Sequence, residues 1–433
     1  MSERSKVLVL GATGFIGSVI AQRLHDEDCV VTGLGRKLDH VANRHPGIRW
    51  LRADLGDLGR ANDWFPVLHG QDIIVNCAGA LQDSLYDDLA ATQERAMLAL
   101  YAAAEQTGIR LIVQISANTA DAGAETAFLG TKRAADRALT ESGVPYVILR
   151  PAVVIGRNAF GGTALLRSLA ALPGPIPLAY ADNPVATVSV DDVATFVASA
   201  VAGVIPANGD YDLAAPEIMR FRDLVILHRT WLGLAPARIL PLPGFLAGPV
   251  SALADLAGRL GWRSPLRSTA MAVMAGGVSA GRQGALPGDM VLMNATETLK
   301  RHPAGVQDLW FARLYLLKPL IVVILSAFWV LSGLIPLLDP ARAASHLLPF
   351  MPTAAASLAT FLTCAVDIVL GIAVLYRPWA RRALAGMLAL SVAYLTSGTI
   401  LTPDLWLDPL GPFVKVLPSM MLAGIAIAIL EER

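Results

Sequence analysis

Three glycines at threefold spacing are the first residues in the chain whose types imply chemistry. They stand in Gly11-Ala-Thr13-Gly14-Phe15-Ile16-Gly17, directly after the apolar run Lys6-Val-Leu-Val-Leu10 and before a helical pattern from Ser18 to His25. Glycines permit a tight turn and let backbone N–H groups close on a pyrophosphate, whose charge is favoured at a helix N-terminus. Strand, turn and helix therefore predict a dinucleotide site over Gly11, Thr13, Gly14, Phe15, Ile16 and Gly17. At the end of the next apolar run stands Gly35-Arg36-Lys37. An acidic residue there would accept from a ribose 2′-hydroxyl and a basic one would meet a 2′-phosphate. Arg36 thus predicts NADP(H) in preference to NAD(H), with a solvated loop as the alternative. Asp367 is the one acid deep inside a long apolar run, where a charge must be paired, protonated or water-exposed. Helical rise sets Asp367 and Tyr394 about 13 Å and about 16 Å from the same ends of their runs, within reach of a hydrogen bond.

The elements that must position these residues follow from the same periodicities. Further buried-strand runs lie at Val30 to Leu34, Ile48 to Leu51, Asp72 to Asn76, Leu111 to Ser116 and Tyr146 to Leu149, with helical stretches between most of them. This alternation predicts an α/β fold with a doubly wound parallel sheet, whose ligands bind beyond the carboxyl ends of the strands. Between Gly203 and Trp310 the pattern is weaker: Tyr211 to Leu234 reads as strand plus helix, and Leu240 to Gly261 is apolar but broken by Pro241, Pro243 and Pro249. A smaller substrate lobe is expected there, packed on the sheet or, alternatively, resting an apolar face on a membrane interface.

Of the 433 residues, 54% are hydrophobic and 16% charged, with mean hydropathy +0.52, against roughly 45–50% and about 25% for soluble domains. This balance argues against a wholly soluble chain, and the scarcity of charge against a disordered one. Lys plus Arg number 35, as do Asp plus Glu, so nucleic-acid binding has no electrostatic footprint. Beyond Lys318, four runs approach the roughly 20 residues that cross a bilayer: Leu320 to Leu338, Ala354 to Tyr376, Ala383 to Leu401, and Val414 to Leu430. Arg313, Lys318, Arg377, Arg381 and Arg382 put both ends of this segment in the cytoplasm, with Trp406 as an interfacial anchor in an outer loop.

Three weaker signals are set aside. Arg4 and Lys6 before an apolar stretch resemble a signal peptide, but the glycine spacing argues for strand-turn-helix. Gly277-Val-Ser279-Ala-Gly281 matches a nucleophile elbow without the flanking strand and helix that motif needs. Cys29, Cys77 and Cys364, and histidines such as His25, His40, His45 and His302, show no metal-ligand spacing.

Together with the glycine motif, Asp54 after the third strand, Asn76-Cys-Ala-Gly79 after the fourth, Ser116, Thr131-Lys132, Leu149-Arg150-Pro151 and Val190-Asp191-Asp192-Val193-Ala194 stand in order. Residues 5 to 300 in this way resemble the extended and atypical short-chain dehydrogenase/reductase superfamily. The resemblance implies that Asp54 lies near adenine, that Asn76 to Gly79 line the cofactor crevice, and that Lys132 contacts the nicotinamide ribose. It also implies a tyrosine four residues before the lysine, with a serine upstream. Here the frame is Phe128-Leu-Gly-Thr-Lys132, and phenylalanine has no hydroxyl with which to exchange a proton. Ser116 and Lys132 remain, for chemistry or for positioning. The final segment resembles the DoxX-like membrane family, four-span bacterial proteins associated with quinone or thiol redox.

These readings predict a domain over residues 1–300 with its substrate lobe at about 203–300, a linker at 301–318, and an all-α domain of four transmembrane helices over 319–433. The expected protein is multi-pass in a bacterial inner membrane and carries an atypical NADP(H)-binding oxidoreductase or isomerase, with a small molecule or quinone as substrate and a membrane redox partner in prospect. The alternative is a catalytically silent NADP(H)-binding scaffold or sensor, comparable to the accessory subunit of respiratory complex I that has the same fold.

Overall fold

A computed structural model describes residues 4–431 apart from 39–40, 42–44, 81, 86, 118–125, 279–280, 282–285, 288–289 and 410, so that Ser279 and His40 lie outside the described residues. The chain forms two compact units, residues 1–258 with 264–312, and residues 259–263 with 313–433. It begins β1 (Lys6–Leu10), α1 (Phe15–Asp26), β2 (Val30–Gly35), β3 (Arg49–Arg52), α2 (Ala61–Leu68), β4 (Ile73–Asn76), α3 (Ala96–Thr107), β5 (Leu111–Ile115), α4 (Ala127–Glu141) and β6 (Tyr146–Pro151). It continues β7 (Val153–Ile155), α5 (Gly162–Ala170), β8 (Ile176–Ala179), β9 (Pro184–Ser189), α6 (Val190–Val201), β10 (Gly209–Leu213), β11 (Ile218–Arg220), α7 (Phe221–Trp231), β12 (Ile239–Leu242), α8 (Ala247–Arg259), α9 (Ser268–Gly276) and α10 (Ala295–Arg301).

Seven strands pair in parallel in the order β3-β2-β1-β4-β5-β6-β10, the arrangement of a doubly wound dinucleotide-binding sheet. Alternation along β1 sends Val7 and Val9 into one core, with Ile20 and Leu24 of α1 and Phe196 and Val197 of α6. Leu8 and Leu10 enter the opposite core with Trp64, Met97, Leu100 and Leu139. A strand buried on both faces reads as a continuous apolar run, and each such side chain stabilises the fold by about 1.5–3 kcal/mol. Sequence assigns Gly209–Leu213 to the substrate lobe, whereas the structure makes it the seventh strand, β10, where Asp210 is neutralised by Arg150. The lobe itself is built on two small sheets, β11-β9-β7 and β12-β8, around Ile155, Leu166, Leu178, Leu224 and Val225.

From Val306 onward, within the stretch expected as a linker, the chain is again helical: α11 (Val306–Leu334), α12 (Pro340–Ser345), α13 (Thr353–Ala373), α14 (Arg377–Leu401) and α15 (Val416–Ala428). Among the described residues three segments, Val306–Leu338, Thr353–Ala373 and Arg377–Leu401, are long and apolar enough to cross a membrane. The fourth expected span is shorter, because α15 holds 13 residues, or about 20 Å. Gly411 at φ +55° turns the chain just before it, and Pro418, with no N–H to donate, is confined to its first turn. Small residues bring α11 and α13 together. A Cβ on Gly371 would lie 2.7 Å from Val330 Cγ2 and 2.8 Å from the Val330 nitrogen, and Ser326 donates to the Gly371 carbonyl at 2.6 Å. Such close backbone approach holds membrane helices together by contact and hydrogen bonding. Lys318 and Arg377 donate to the Leu430 carbonyl at 3.3 and 2.8 Å, beyond the carboxyl end of α15.

Candidate functional site

β1 delivers the chain to Gly11, whose φ of +69° favours glycine. A Cβ there would meet Ala78 Cα and N at 3.0 Å, so glycine lets the turn lie against the end of β4. The Gly14 amide donates to the Gly11 carbonyl at 2.9 Å. A Cβ on Gly14 would stand 3.2 Å from that oxygen, and one on Gly17 would collide with it. Thr13 and Gly14 are exposed on the outer side of the turn, and α1 then starts at Phe15 with no side-chain cap. Phe15 and Ile16 are half-buried, Ile16 against the core beneath α1. First-turn N–H groups of a helix have no intrahelical partner and suit a phosphate. A cradle closed to any Cβ at Gly17 fits the pyrophosphate of a dinucleotide.

Asn76, at the end of β4, turns its amide inward: the NH₂ donates to Gln114 Oε1 at 2.8 Å and the oxygen accepts from the Ala78 amide at 3.0 Å. It shapes the crevice by fixing the Cys77-Ala78-Gly79 turn. Beneath exposed Gly79 lies Lys132 of α4, 5% exposed, with Nζ 3.4 Å from where a Gly79 Cβ would be. The ammonium donates to the carbonyls of Ala78 and Ile115 at 3.2 and 3.1 Å. Burial lowers its pKa, against the opposing charge of Asp136. Burial also pushes the neighbouring Cys77 thiol up to about 12, despite the lysine.

Phe128 sits half-buried one turn before Lys132, in the first turn of α4, where Thr126 caps the helix by accepting from the Leu129 amide. Ser116 does not reach Lys132 by hydrogen bond; its hydroxyl donates to Asp136 Oδ2 at 2.6 Å. Arg150 donates to the same oxygen at 3.2 Å and is ion-paired with Asp210. Burial raises the Asp136 pKa, opposed first by the Ser116 hydrogen bond and then by the charges of Arg150 and Lys132. Sequence reasoning missed Asp136. Its signal was the Phe128, Lys132, Asp136 spacing, which stacks all three on one helix face.

At the end of β2, Arg36 is ion-paired with Asp87 at 2.6 Å and lies 3.9 Å from Asp54. Asp54 also caps the short helical turn Leu55–Asp57 by accepting from the Gly56 amide. The Asp87 side chain is 11% exposed and also accepts from the Ser84 hydroxyl at 3.0 Å, so a ligand that takes Arg36 must supply an anion in place of Asp87. Gly35 leaves room for Thr13, whose Cγ2 would stand 2.8 Å from a Cβ there. The loop carrying Asp87 is tied to the lobe by Arg267, which donates to the Asp83 carbonyl at 2.8 Å. Arg267 also borders an open hollow of about 450 Å³ lined by Tyr180, Ser251, Asp255, Ser268 and Met271.

In the second unit, Tyr394 of α14 donates to Asp367 Oδ1 of α13 at 3.0 Å. The two polar residues singled out by depth are thus brought together, with Asp367 7% exposed.

Residues 11–203 match a family model described as NAD(P)H-binding, and residues 326–424 match the DoxX-like family. A (4-alkanoyl-5-oxo-2,5-dihydrofuran-3-yl)methyl phosphate reductase of Streptomyces griseus subsp. griseus is 28% identical over 221 residues, 50% of this chain and 70% of its own. An uncharacterised Mycobacterium tuberculosis protein is 26% identical over 222 residues, 51% of this chain and 23% of its own. Among solved structures, gox2253 superposes with a TM-score of 0.53 at 19% identity, over 72% of this chain and 99% of its own, a likeness of fold. With its seven-stranded parallel sheet and glycine cradle followed by apolar helices, the chain joins a Rossmann-like α/β part that matches the NAD(P)H-binding family model to a C-terminal helical part that matches the DoxX-like family.

Proposed function

We propose that the chain is a membrane-anchored oxidoreductase that binds NADP(H) and reduces an acceptor needing no phenolic proton donor, a quinone being the fitting class. The observation that carries this reading is Phe128 one turn before Lys132, with Ser116 and Lys132 both hydrogen-bonded inward. In this reading Gly11 to Gly17 hold the pyrophosphate, Arg36 exchanges Asp87 for a 2′-phosphate, Asp54 lies by the adenine, and Lys132 sets positive charge beneath Gly79. The bound nicotinamide supplies a hydride. Proton delivery by a positioned side chain contributes about 10²- to 10⁴-fold, and Phe128 forfeits it. A carbonyl then leaves a strongly basic alkoxide, whereas a reduced quinone oxygen is a phenolate with a conjugate-acid pKa of about 10 and takes its proton from water. The Streptomyces griseus relative is named as a reductase, which supports hydride transfer. The DoxX-like match supports a membrane site; in this reading the membrane is a bacterial inner membrane, and Arg377, Arg381 and Arg382 favour both termini in the cytoplasm.

Ser116 bonded to Asp136 favours a second reading, a nucleotide-binding scaffold without turnover. The full-length protein in nanodiscs, mixed with NADPH or NADH and with quinones or aldehydes and ketones, separates the two. NADPH oxidation by quinones alone is expected, with carbonyl reduction gained in Phe128→Tyr and the preference for NADPH narrowed in Arg36→Ala. Binding without oxidation under any acceptor establishes the scaffold, and failure to bind either nucleotide overturns both readings.

A further inference from the structure

Helix α8 is inside out for a surface in water. Its inward side is Ala247, Ser251, Ala254 and Gly258, all buried. Its outward side carries Val250, Leu253 and Leu256, 45%, 70% and 53% exposed, continued by Phe245 and Leu246 in the preceding turn at 76% and 42%. Small residues in and large apolar residues out invert what burial favours, and their spacing makes one contiguous patch rather than scattered side chains. The acid of α8, Asp255, is held by Arg267 at 3.0 Å and adds no free charge to the patch. We propose that this face of α8 rests in the headgroup and acyl boundary of the bilayer that receives the DoxX-like helices.

Covalent continuity selects lipid as the occupant. Residues Leu260 to Arg263 follow α8 directly and are bonded into the turn between α13 and α14. The Arg377 amide donates to the Leu260 carbonyl at 3.0 Å, Trp262 Nε1 donates to the Leu375 carbonyl at 2.6 Å, and the Arg377 guanidinium lies 5.6 Å from the Trp262 ring centre. Tryptophan and arginine at the end of a spanning helix mark the membrane interface. A 13-residue helix that runs into this belt with one apolar face and exits on exposed Arg259 has the composition of an in-plane interfacial helix, too short to span.

The test is nitroxide accessibility on the full-length protein in nanodiscs of phosphatidylethanolamine and phosphatidylglycerol, with the label on Leu253→Cys and, as control, on Val204→Cys, 63% exposed. The signal of the unsubstituted protein is subtracted, and unchanged thermal melting shows that each variant folds. The ratio of collisions with oxygen to collisions with a water-soluble nickel chelate is expected to be several-fold higher at Leu253 than at Val204, and likewise at Val250 and Leu256. Equal ratios would mean that the face meets water. Protection from both reagents would mean that protein covers it, and spin–spin broadening that a second copy does. Each of these three results overturns the proposal.

Discussion

A carboxylate buried beside a lysine sets two titrations against each other. Asp136 holds its proton to higher pH in the fold than in the unfolded chain, where the ordinary value is about 3.9. Between those values the folded state binds more protons, so stability falls as pH rises through that window. Asp136→Asn removes the titration. Thermal melting of the detergent-solubilised protein from about pH 4 to about pH 7 is expected to show the wild type losing ground to the variant; parallel curves would count against a proton held at Asp136. Phe128 and Lys132 were legible because one helical turn joins them. Ser116 and Asp136 are 20 residues apart and meet only when β5 packs beside α4. Asn76 was legible as part of a motif, but the inward aim of its amide depends on Gln114, which nothing local foretells.

Elements that are buried on two faces announce themselves, and those that depend on a partner do not. The runs that became β1 and β4 have apolar centres, Val7 to Leu10 and Ile73 to Val75, whereas β10 carries Asp210 and Asp212 and is a strand only beside Arg150 of β6. Three of the four expected spans have the length of a bilayer crossing. For α15, total apolar content suggested more helix than Gly411 and Pro418 allow. Within the DoxX-like domain the pairing of α13 with α14 was legible at Asp367 and Tyr394, but that of α11 with α13 was not, since a glycine's role depends on what faces it. Gly371→Ala forces a Cβ against the Val330 backbone, and overpacking of this kind costs about 1–3 kcal/mol. Gly424 in α15 has nothing within 4 Å of an added Cβ, so Gly424→Ala gains helix propensity of up to about 1 kcal/mol. Thermal melts in detergent are expected to move in opposite directions for the two variants, and a fall of equal size in both would refute the packing account.

For the whole molecule, the decisive question is which side of the membrane carries the nucleotide. Arg377, Arg381 and Arg382 stand in the first turns of α14, and basic residues at the end of a span are expected on the cytoplasmic side; Arg381 is exposed enough to report on it. A cysteine at Arg381 is expected to react with an impermeant maleimide in inverted vesicles and to be silent in intact cells, while one at Asp404 does the reverse; the opposite pattern would put the dinucleotide domain outside the cell. The basic end of the bundle also fixes where α15 falls short. Lys318 and Arg377 hold the Leu430 carbonyl at that end, so the missing length of α15, about 10 Å against a hydrocarbon core of about 30 Å, is gathered at the other. One leaflet therefore meets four helices, and the other meets three together with the turn before α15, where Phe413 lies against Gly398 of α14 and its ring stands 5.4 Å from that of Trp406. A crossing that is part helix and part turn adapts to the bilayer at a fraction of a kcal/mol per Å of mismatch, so bilayer thickness is expected to act on this protein as ionic strength acts on a soluble enzyme.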